Sequence, residues 1–429
     1  MQTSVRNEKI VITGTGAVCA AGAEPERILD AVLAGRSAIA PIEQWDTSEW
    51  PVRNAGEVRL TARELVEDRK LHKLIRRTDL FGLYVAGRAI AAAGIIGHRD
   101  TLDEAGARHF SDRTGVYVGS GGGTYESHYD YFPLLTEANG ELPAFGRELA
   151  NTVNPMWLLR TLPNNVLGHI GIRYGLKGAN ACITNHSVSG TLALIEATEG
   201  LRQGEGERAV AVGHDAPVEP QLVLFYHRFG LLAADELKPF DARRDGSLFG
   251  DGAGALVVET QAAASGRDAN VLGEVLGGGY ATEAQGLVAI RDDGDGPARA
   301  IAEALADARI DARDVGMIVA HGNGTRASDA SEAAAIRAVF GARPPPVTAF
   351  KWAFGHLIAA AGIMETVLAL AALRRSVVPG VATLRELDPA CADMPISAAH
   401  QTPRSDVALI LCRGFAGTNA ALLIRAGKV

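Results

Sequence analysis

The chain has 429 residues, too many for one simple core and about right for two packed halves of roughly 200 residues each. Hydrophobic residues make up 47% and charged residues 21%, an ordinary composition for a soluble protein with a large core. The net charge of -8 gives no generic attraction to nucleic acid or to an anionic membrane, so neither is expected as a partner.

The stretch from Met1 to Lys9 is polar and runs straight into the apolar segment Ile10-Val11-Ile12-Thr13, a predicted strand. It lacks the shape of a cleavable signal, and no apolar run reaches membrane-spanning length, so a cytoplasmic location is expected. A helix is predicted over 80–94, followed by the strand Thr114-Gly115-Val116-Tyr117-Val118-Gly119-Ser120. Further helices are predicted over 188–203, 298–308, 330–340 and 357–374. The remaining strands are Ala209–Val212, Ala255–Val258 and Val407–Leu411, continuous apolar runs as expected where both faces are covered. The segment from Val315 to Gly322 repeats the strand-then-glycine pattern of Thr114–Ser120 about 200 residues later, which suggests a duplicated α/β unit. The expected architecture is layered α/β in two halves, residues 1–262 and 263–429, joined near 260–272. Glycine clusters at Gly119-Ser120-Gly121-Gly122-Gly123 and Gly277-Gly278-Gly279 point to close backbone approach. Cysteines 19, 182, 391 and 412 show neither metal-binding spacing nor a disulfide framework.

Four short clusters carry chemistry-bearing residues. Asn185-His186-Ser187-Val188-Ser189-Gly190 sits at a strand-to-helix junction, where free N–H groups stabilise developing negative charge; a plain helix cap is the alternative. His321-Gly322-Asn323-Gly324-Thr325 ends an apolar strand, and Lys351-Trp352-Ala353-Phe354-Gly355-His356 precedes a long apolar helix. Each histidine is either structural or catalytic. Gly414-Phe415-Ala416-Gly417-Thr418-Asn419 reads as a tight turn between two terminal strands.

In this order the clusters resemble the signature set of the β-ketoacyl-(acyl carrier protein) synthases, the ketosynthase family of condensing enzymes. That family's nucleophilic cysteine, in Thr-Ala-Cys-Ser-Ser/Gly, comes nine residues after the last glycine of a stretch matching Tyr174-Gly175-Leu176-Lys177-Gly178. Here the ninth residue is Ser187. His321 matches the histidine of His-Gly-Thr-Gly-Thr, with Asp329 and Glu332 as its downstream acidic pair. Lys351 and His356 match Lys-Ser-x-x-Gly-His, and Gly414 to Asn419 match Gly-Phe-Gly-Gly-Thr-Asn, whose phenylalanine gates the acyl pocket. Val11 to Gly16 and the run Phe240-Asp241…Gly250-Asp251-Gly252-Ala253-Gly254 add to the likeness, which spans nearly the whole chain.

The resemblance implies a thiolase-like fold: two duplicated α/β halves in five layers, dimeric, with no cofactor beyond the phosphopantetheine arm of an acyl carrier protein and no metal. It implies Ser187, His321, His356 and Lys351 as catalytic residues, and Phe415, Asn323, Gly414 and Ala416 as gate and pocket. The expected reaction is decarboxylative condensation of acyl- and malonyl-carrier protein thioesters, or acyl transfer through Ser187. A serine hydroxyl needs a base during attack, for which His321 or His356 is the expected source. The alternatives are a malonyl decarboxylase, a largely non-catalytic partner like a chain-length factor, or an engineered cysteine-to-serine form of an active ketosynthase. Cys182, five residues before Ser187, reads as a structural thiol. Carrier proteins are acidic, and Arg69, Lys70, Lys73, Arg76 and Arg77 form the densest basic segment, the expected docking face at helical spacing. The partner subunit is an identical chain or a ketosynthase homologue.

Overall fold

Long apolar runs become strands where neighbouring layers cover both faces. The computed structural model describes residues 8–122, 128–129 and 131–427. The polar stretch up to Asn7, and Gly123 of the first glycine cluster, lie outside the described residues.

Twelve strands follow in chain order: β1 (Ile10–Cys19), β2 (Ala40–Pro41), β3 (Asn54–Ala55), β4 (Thr114–Ser120), β5 (Asn180–Ile183), β6 (Arg208–Asp215), β7 (Gly252–Thr260), β8 (Gly273–Thr282), β9 (Met317–Val319), β10 (Val347–Thr348), β11 (Val407–Gly414) and β12 (Thr418–Ala426). β2 and β3 form a small separate ribbon. The other ten lie in the order β10-β9-β11-β12-β8-β1-β7-β6-β4-β5. Read outward from the centre, β1-β7-β6-β4-β5 and β8-β12-β11-β9-β10 are the same arrangement twice. The pairing directions repeat as well: β4 and β9 each run parallel to both neighbours, and the two strands nearest the centre pair antiparallel in each set. The echo between Thr114–Ser120 and Val315–Gly322 is therefore a true equivalence of β4 and β9. The two sets meet where Ile10, Val11 and Ile12 pair with Val275, Glu274 and Gly273.

Helices complete the layers. Arg77–Ala93 covers the first set from outside, and Asp295–Ala308 covers the second, with Arg326–Phe340 packed against it. Ser189–Arg202 and Ala361–Arg374 pack on each other between the two sets. Five layers result. The central helix Ala361–Arg374 is buried on nearly all sides, from Ala361 to Leu370 without a break, which explains why its sequence is apolar all round. Among the described residues no helix is long and apolar enough to cross a membrane.

Predicted and observed helices differ mainly at their starts, while strands β1, β6 and β11 run past their predicted ends to Cys19, Asp215 and Gly414. The helix predicted from 298 begins at Asp295, because Pro297 fits a first helical turn where no N–H is needed. The helix predicted from 357 is preceded by a separate turn, Ile358–Ala360.

Glycines allow the central helix Ser189–Arg202 to touch the sheet. A Cβ on Gly119 of β4 would lie 2.3 Å from the backbone of Ser189 and Gly190. All three nearest atoms are backbone, so nothing can rotate away. Gly119→Ala is therefore expected to destabilise the protein by about 3 kcal/mol, at the severe end of overpacking. Urea unfolding is the check, and an unchanged midpoint would refute this close approach.

Candidate active site

β5 ends at Ile183, and the chain makes a single 3-10 turn, His186–Val188, before entering the helix Ser189–Arg202. The Ser189 hydroxyl closes this junction, accepting from Asn185 N–H at 2.8 Å and donating to the His186 carbonyl at 2.7 Å. Ser187 is thereby placed at the foot of a helix with 0% of its surface exposed. The thiol of Cys412 on β11 donates to the Ser187 carbonyl at 2.9 Å, tying the turn to the second half.

The second half supplies the other walls. His321 follows β9, and its turn is held from behind by carboxylates. Glu332 accepts from the N–H groups of His321 (2.6 Å) and Gly322 (3.0 Å). Asp329 accepts from Gly324 (3.2 Å) and Phe240 (2.8 Å), and burial pushes its carboxyl up to about 7. The acidic pair thus shapes the loop without touching the hollow. Lys351 follows β10 and is wholly buried. Its ammonium donates to the His321 carbonyl at 2.5 Å and to Glu365 Oε1 at 2.6 Å. Burial raises the Glu365 carboxyl to about 7 although Lys351 pulls it down.

Ser187 Oγ lies 3.1 Å from His356 Nε2 and 2.9 Å from His186 Nδ1. The His321 and His356 rings stand edge to face, centroids 5.1 Å apart. Burial, then the Lys351 charge, pushes both far below the usual histidine range, so both are neutral near pH 7. Arg413 N–H donates to His321 Nδ1 and Ile358 N–H to His356 Nδ1, each at 3.3 Å. A neutral ring whose Nδ1 accepts carries its proton on Nε2. Both rings are therefore N–H donors through Nε2, which corrects the expectation that one of them takes the serine proton.

Ser187, His321, His356, Asn323, Gly414 and Phe415 line one hollow of about 60 Å³. Asn323 also accepts from Thr325 N–H at 3.0 Å, an Asx turn that keeps its loop tight. Ala416 does not belong to this group. It occupies the tip of the β11–β12 hairpin at φ 59 and is exposed, with its N–H bonded to the Leu287 carbonyl. Cys182 lies on β5, half-buried, with its thiol on the Pro163 carbonyl at 3.3 Å.

The basic segment also departs from expectation. Residues 69–77 are no continuous helix: a 3-10 turn covers Leu71–Lys73, and the next helix starts at Arg77, where Asp79 Oδ2 accepts the Arg76 N–H at 2.9 Å. Arg76 is 1% exposed, and the Arg77 guanidinium is engaged by Asp251 and the Val58 carbonyl. Only Arg69, Lys70 and Lys73 face outward.

The residue that sequence reasoning left without a role is His186. It adopts φ 48, a strained value for a residue with a side chain. Its Nδ1 accepts from Phe415 N–H at 3.2 Å, its Nε2 meets the Tyr226 hydroxyl, and its ring stacks on Phe415 with centroids 4.3 Å apart. Tyr226 stacks on the same phenylalanine at 5.1 Å. These three rings form a wall shared with a second hollow of about 560 Å³, lined by Trp45, Val218, Leu222 and Ile358 among others.

A hydroxyl at a helix start, two neutral imidazoles and a buried lysine come together at one place between the duplicated α/β halves. The β-ketoacyl synthase N-terminal domain matches residues 7–264 and the C-terminal domain residues 272–385. The chain belongs to the β-ketoacyl synthase family. Nodulation protein E of Rhizobium sp. (strain N33) is 31% identical over 423 residues, 98% of this chain and 99% of the relative. The 3-oxoacyl-[acyl-carrier-protein] synthase 2 of Staphylococcus aureus (strain COL) is 29% identical over 432 residues, with the same coverage. Among solved structures, the ishigamide ketosynthase/chain length factor superposes with a TM-score of 0.85 at 28% identity, over 98% of this chain and 99% of that one.

Removing one partner of a buried ion pair leaves an uncompensated group, at a cost of about 3–5 kcal/mol. Lys351→Met is expected to lose that much stability in urea unfolding. The double variant Lys351→Met/Glu365→Leu should recover most of it while leaving the His321 carbonyl without its donor. A single variant as stable as the parent would contradict the role given to this pair.

Proposed function

We propose that this chain is an acyltransferase of the ketosynthase kind that takes an acyl group from an acyl carrier protein onto Ser187 and uses it in condensation with a malonyl-carrier protein. The observation that carries this reading is the fully buried Ser187 hydroxyl, 3.1 Å from an imidazole N–H donor, at the start of a helix. In the first step the Ser187 oxygen bonds to the thioester carbonyl carbon, the C–S bond breaks, and the hydroxyl proton ends on the departing thiol. In the second, malonyl loses carbon dioxide, and the electron pair left behind becomes an enolate. Two Nε2–H donors, from His321 and His356, suit that developing oxygen charge in a water-poor hollow. The resulting carbanion bonds to the ester carbonyl carbon, the C–O bond to Ser187 breaks, and the serine oxygen takes up one proton from water. An oxyester is a poorer acceptor of a carbon nucleophile than a thioester, so condensation is slower here than with cysteine.

Incubation with a panel of acyl-carrier proteins followed by intact-protein mass measurement tests this reading. A gain equal to the acyl group, absent in Ser187→Ala, is the expected outcome. A second reading, a partner subunit that lacks catalysis, draws support from the likeness to the ketosynthase/chain length factor structure. It predicts no adduct, no carbon dioxide release and a tight complex with a cysteine-bearing homologue. In either case the exposed apolar side chains Leu142, Leu158, Leu159, Leu162 and Ile172 suit a face covered by a second subunit.

For carrier-protein docking, Arg69, Lys70 and Lys73 remain the candidates, since they face outward. Arg69→Glu/Lys70→Glu/Lys73→Glu should weaken carrier binding about tenfold, from three exposed charges at up to about 1 kcal/mol each. The loss should shrink at high salt. Equal affinity of triple variant and parent in a binding titration would exclude this surface.

A further inference from the structure

The backbone around Ser187 decides which neighbours of its hydroxyl give a proton and which accept one. His356 has its Nδ1 occupied by Ile358 N–H, so it turns Nε2–H toward Ser187 Oγ at 3.1 Å. The serine oxygen is an acceptor on that side. His186 carries the same tautomer but turns its other nitrogen, Nδ1, toward the serine. Its Nδ1 accepts from Phe415 N–H at 3.2 Å, which puts the ring proton on Nε2, where the Tyr226 hydroxyl oxygen accepts it. The same Nδ1 lone pair, shared with the longer Phe415 N–H contact, faces Ser187 Oγ at 2.9 Å. Among the described residues it is the one base within reach of the serine proton.

The surroundings hold His186 in this pose. A histidine at φ 48 persists only where its neighbours over-determine it. Here they do so through the Tyr226 hydroxyl, the Phe415 backbone and the stacked Phe415 ring. Gly414 makes room: a Cβ there would lie 3.2 Å from His186 Nδ1.

We propose that His186 is the general base that activates Ser187, held in its accepting tautomer by the Phe415 N–H and the Tyr226 hydroxyl. The proposal rests on the reading of Ser187 as acyl acceptor. As the serine oxygen bonds to the thioester carbonyl carbon, its proton passes to His186 Nδ1 and the carbonyl electron pair moves onto oxygen. When that pair returns, the C–S bond breaks and the departing thiolate takes the proton from His186. Protonation of Nδ1 also removes the acceptor of the Phe415 N–H, releasing that donor beside the hollow while charge sits on the carbonyl oxygen. Burial holds His186 down at about 4, so the base is neutral and ready near pH 7.

The test reads serine activation separately from carrier-protein chemistry. An alkyl fluorophosphonate labels activated serines by forming an O–P bond and expelling fluoride, and intact mass follows its rate on the full-length protein. Glycine and asparagine both adopt the positive φ of residue 186, so His186→Gly and His186→Asn keep the local chain path, which thermal melting verifies. Both are expected to label at least about 100-fold more slowly than the parent, the usual range for loss of a general base. Free imidazole should restore a measurable part of the rate in His186→Gly alone. Ser187→Ala should show no label. Parent-like labelling of either variant, a rate in His186→Gly that imidazole does not raise, or a parent that fails to label would overturn the proposal. Labelling by the fluorophosphonate with no adduct from any acyl-carrier protein would instead sink the acyl-transfer reading and leave the Ser187–His186 pair standing.

Discussion

An ammonium group sealed from water has to be surrounded by acceptors, and Lys351 meets that condition with a carboxylate and a carbonyl. The carboxylate belongs to the central helix Ala361–Arg374 and the carbonyl to His321 at the end of β9. One charge thus clamps three separate pieces of chain: the layer between the sheets, the turn carrying one imidazole, and the segment leading to the other. Burial, helped by the same charge, keeps both imidazoles neutral. Neutral rings keep a lone pair on Nδ1, and the backbone N–H groups of Arg413 and Ile358 can then fix their tautomers. The donor character of the site follows from a residue that does not line its hollow.

Around the serine the same logic runs with the opposite result. Three imidazoles within one small volume would repel if charged, and burial removes that charge from each. In all three a backbone N–H meets Nδ1; what separates His186 from His356 is which nitrogen is turned toward Ser187. Donors and acceptor are therefore assigned by chain path, with no differences in side-chain chemistry. The stacked wall of His186, Phe415 and Tyr226 adds that the acceptor side of the serine borders the larger apolar hollow, where an acyl chain has room.

Much of the fold was legible because it depends on local apolar runs. Thr114–Ser120 reads as a buried strand at its observed limits, and the helices differ by a few residues at their starts. The echo of β4 in β9 was visible as strand followed by glycine, whereas the order of strands depends on contacts between residues hundreds of positions apart. In the site, Ser187, His321, Lys351 and His356 were singled out by the resemblance to the ketosynthase motifs, and they do meet around one hollow or directly behind it. The basic segment misled because charge density alone reads as a solvated face. Burial of Arg76 depends on chain that returns only at β6, where His214 lies beside the same helix start. Ala416 was placed in the pocket by its position in a motif, yet a hairpin tip with positive φ points away from the sheet end. His186 was visible in the sequence as the residue beside the serine. Its function was not, because Tyr226 and Phe415 stand 40 and 229 residues away.

The doubled sheet has a consequence for how such a site is assembled. β5 and β10 occupy the same place in the two sets of five strands, and each is followed by a reactive segment: Ser187 after one, Lys351 and His356 after the other. Corresponding positions of a repeated unit carry different groups, one the serine hydroxyl and the other the imidazole that faces it. Neither unit by itself encloses a place for substrate. The hollow lies at the seam between the copies, so any change in how they lean on one another alters the Ser187–His356 contact and the walls around it together.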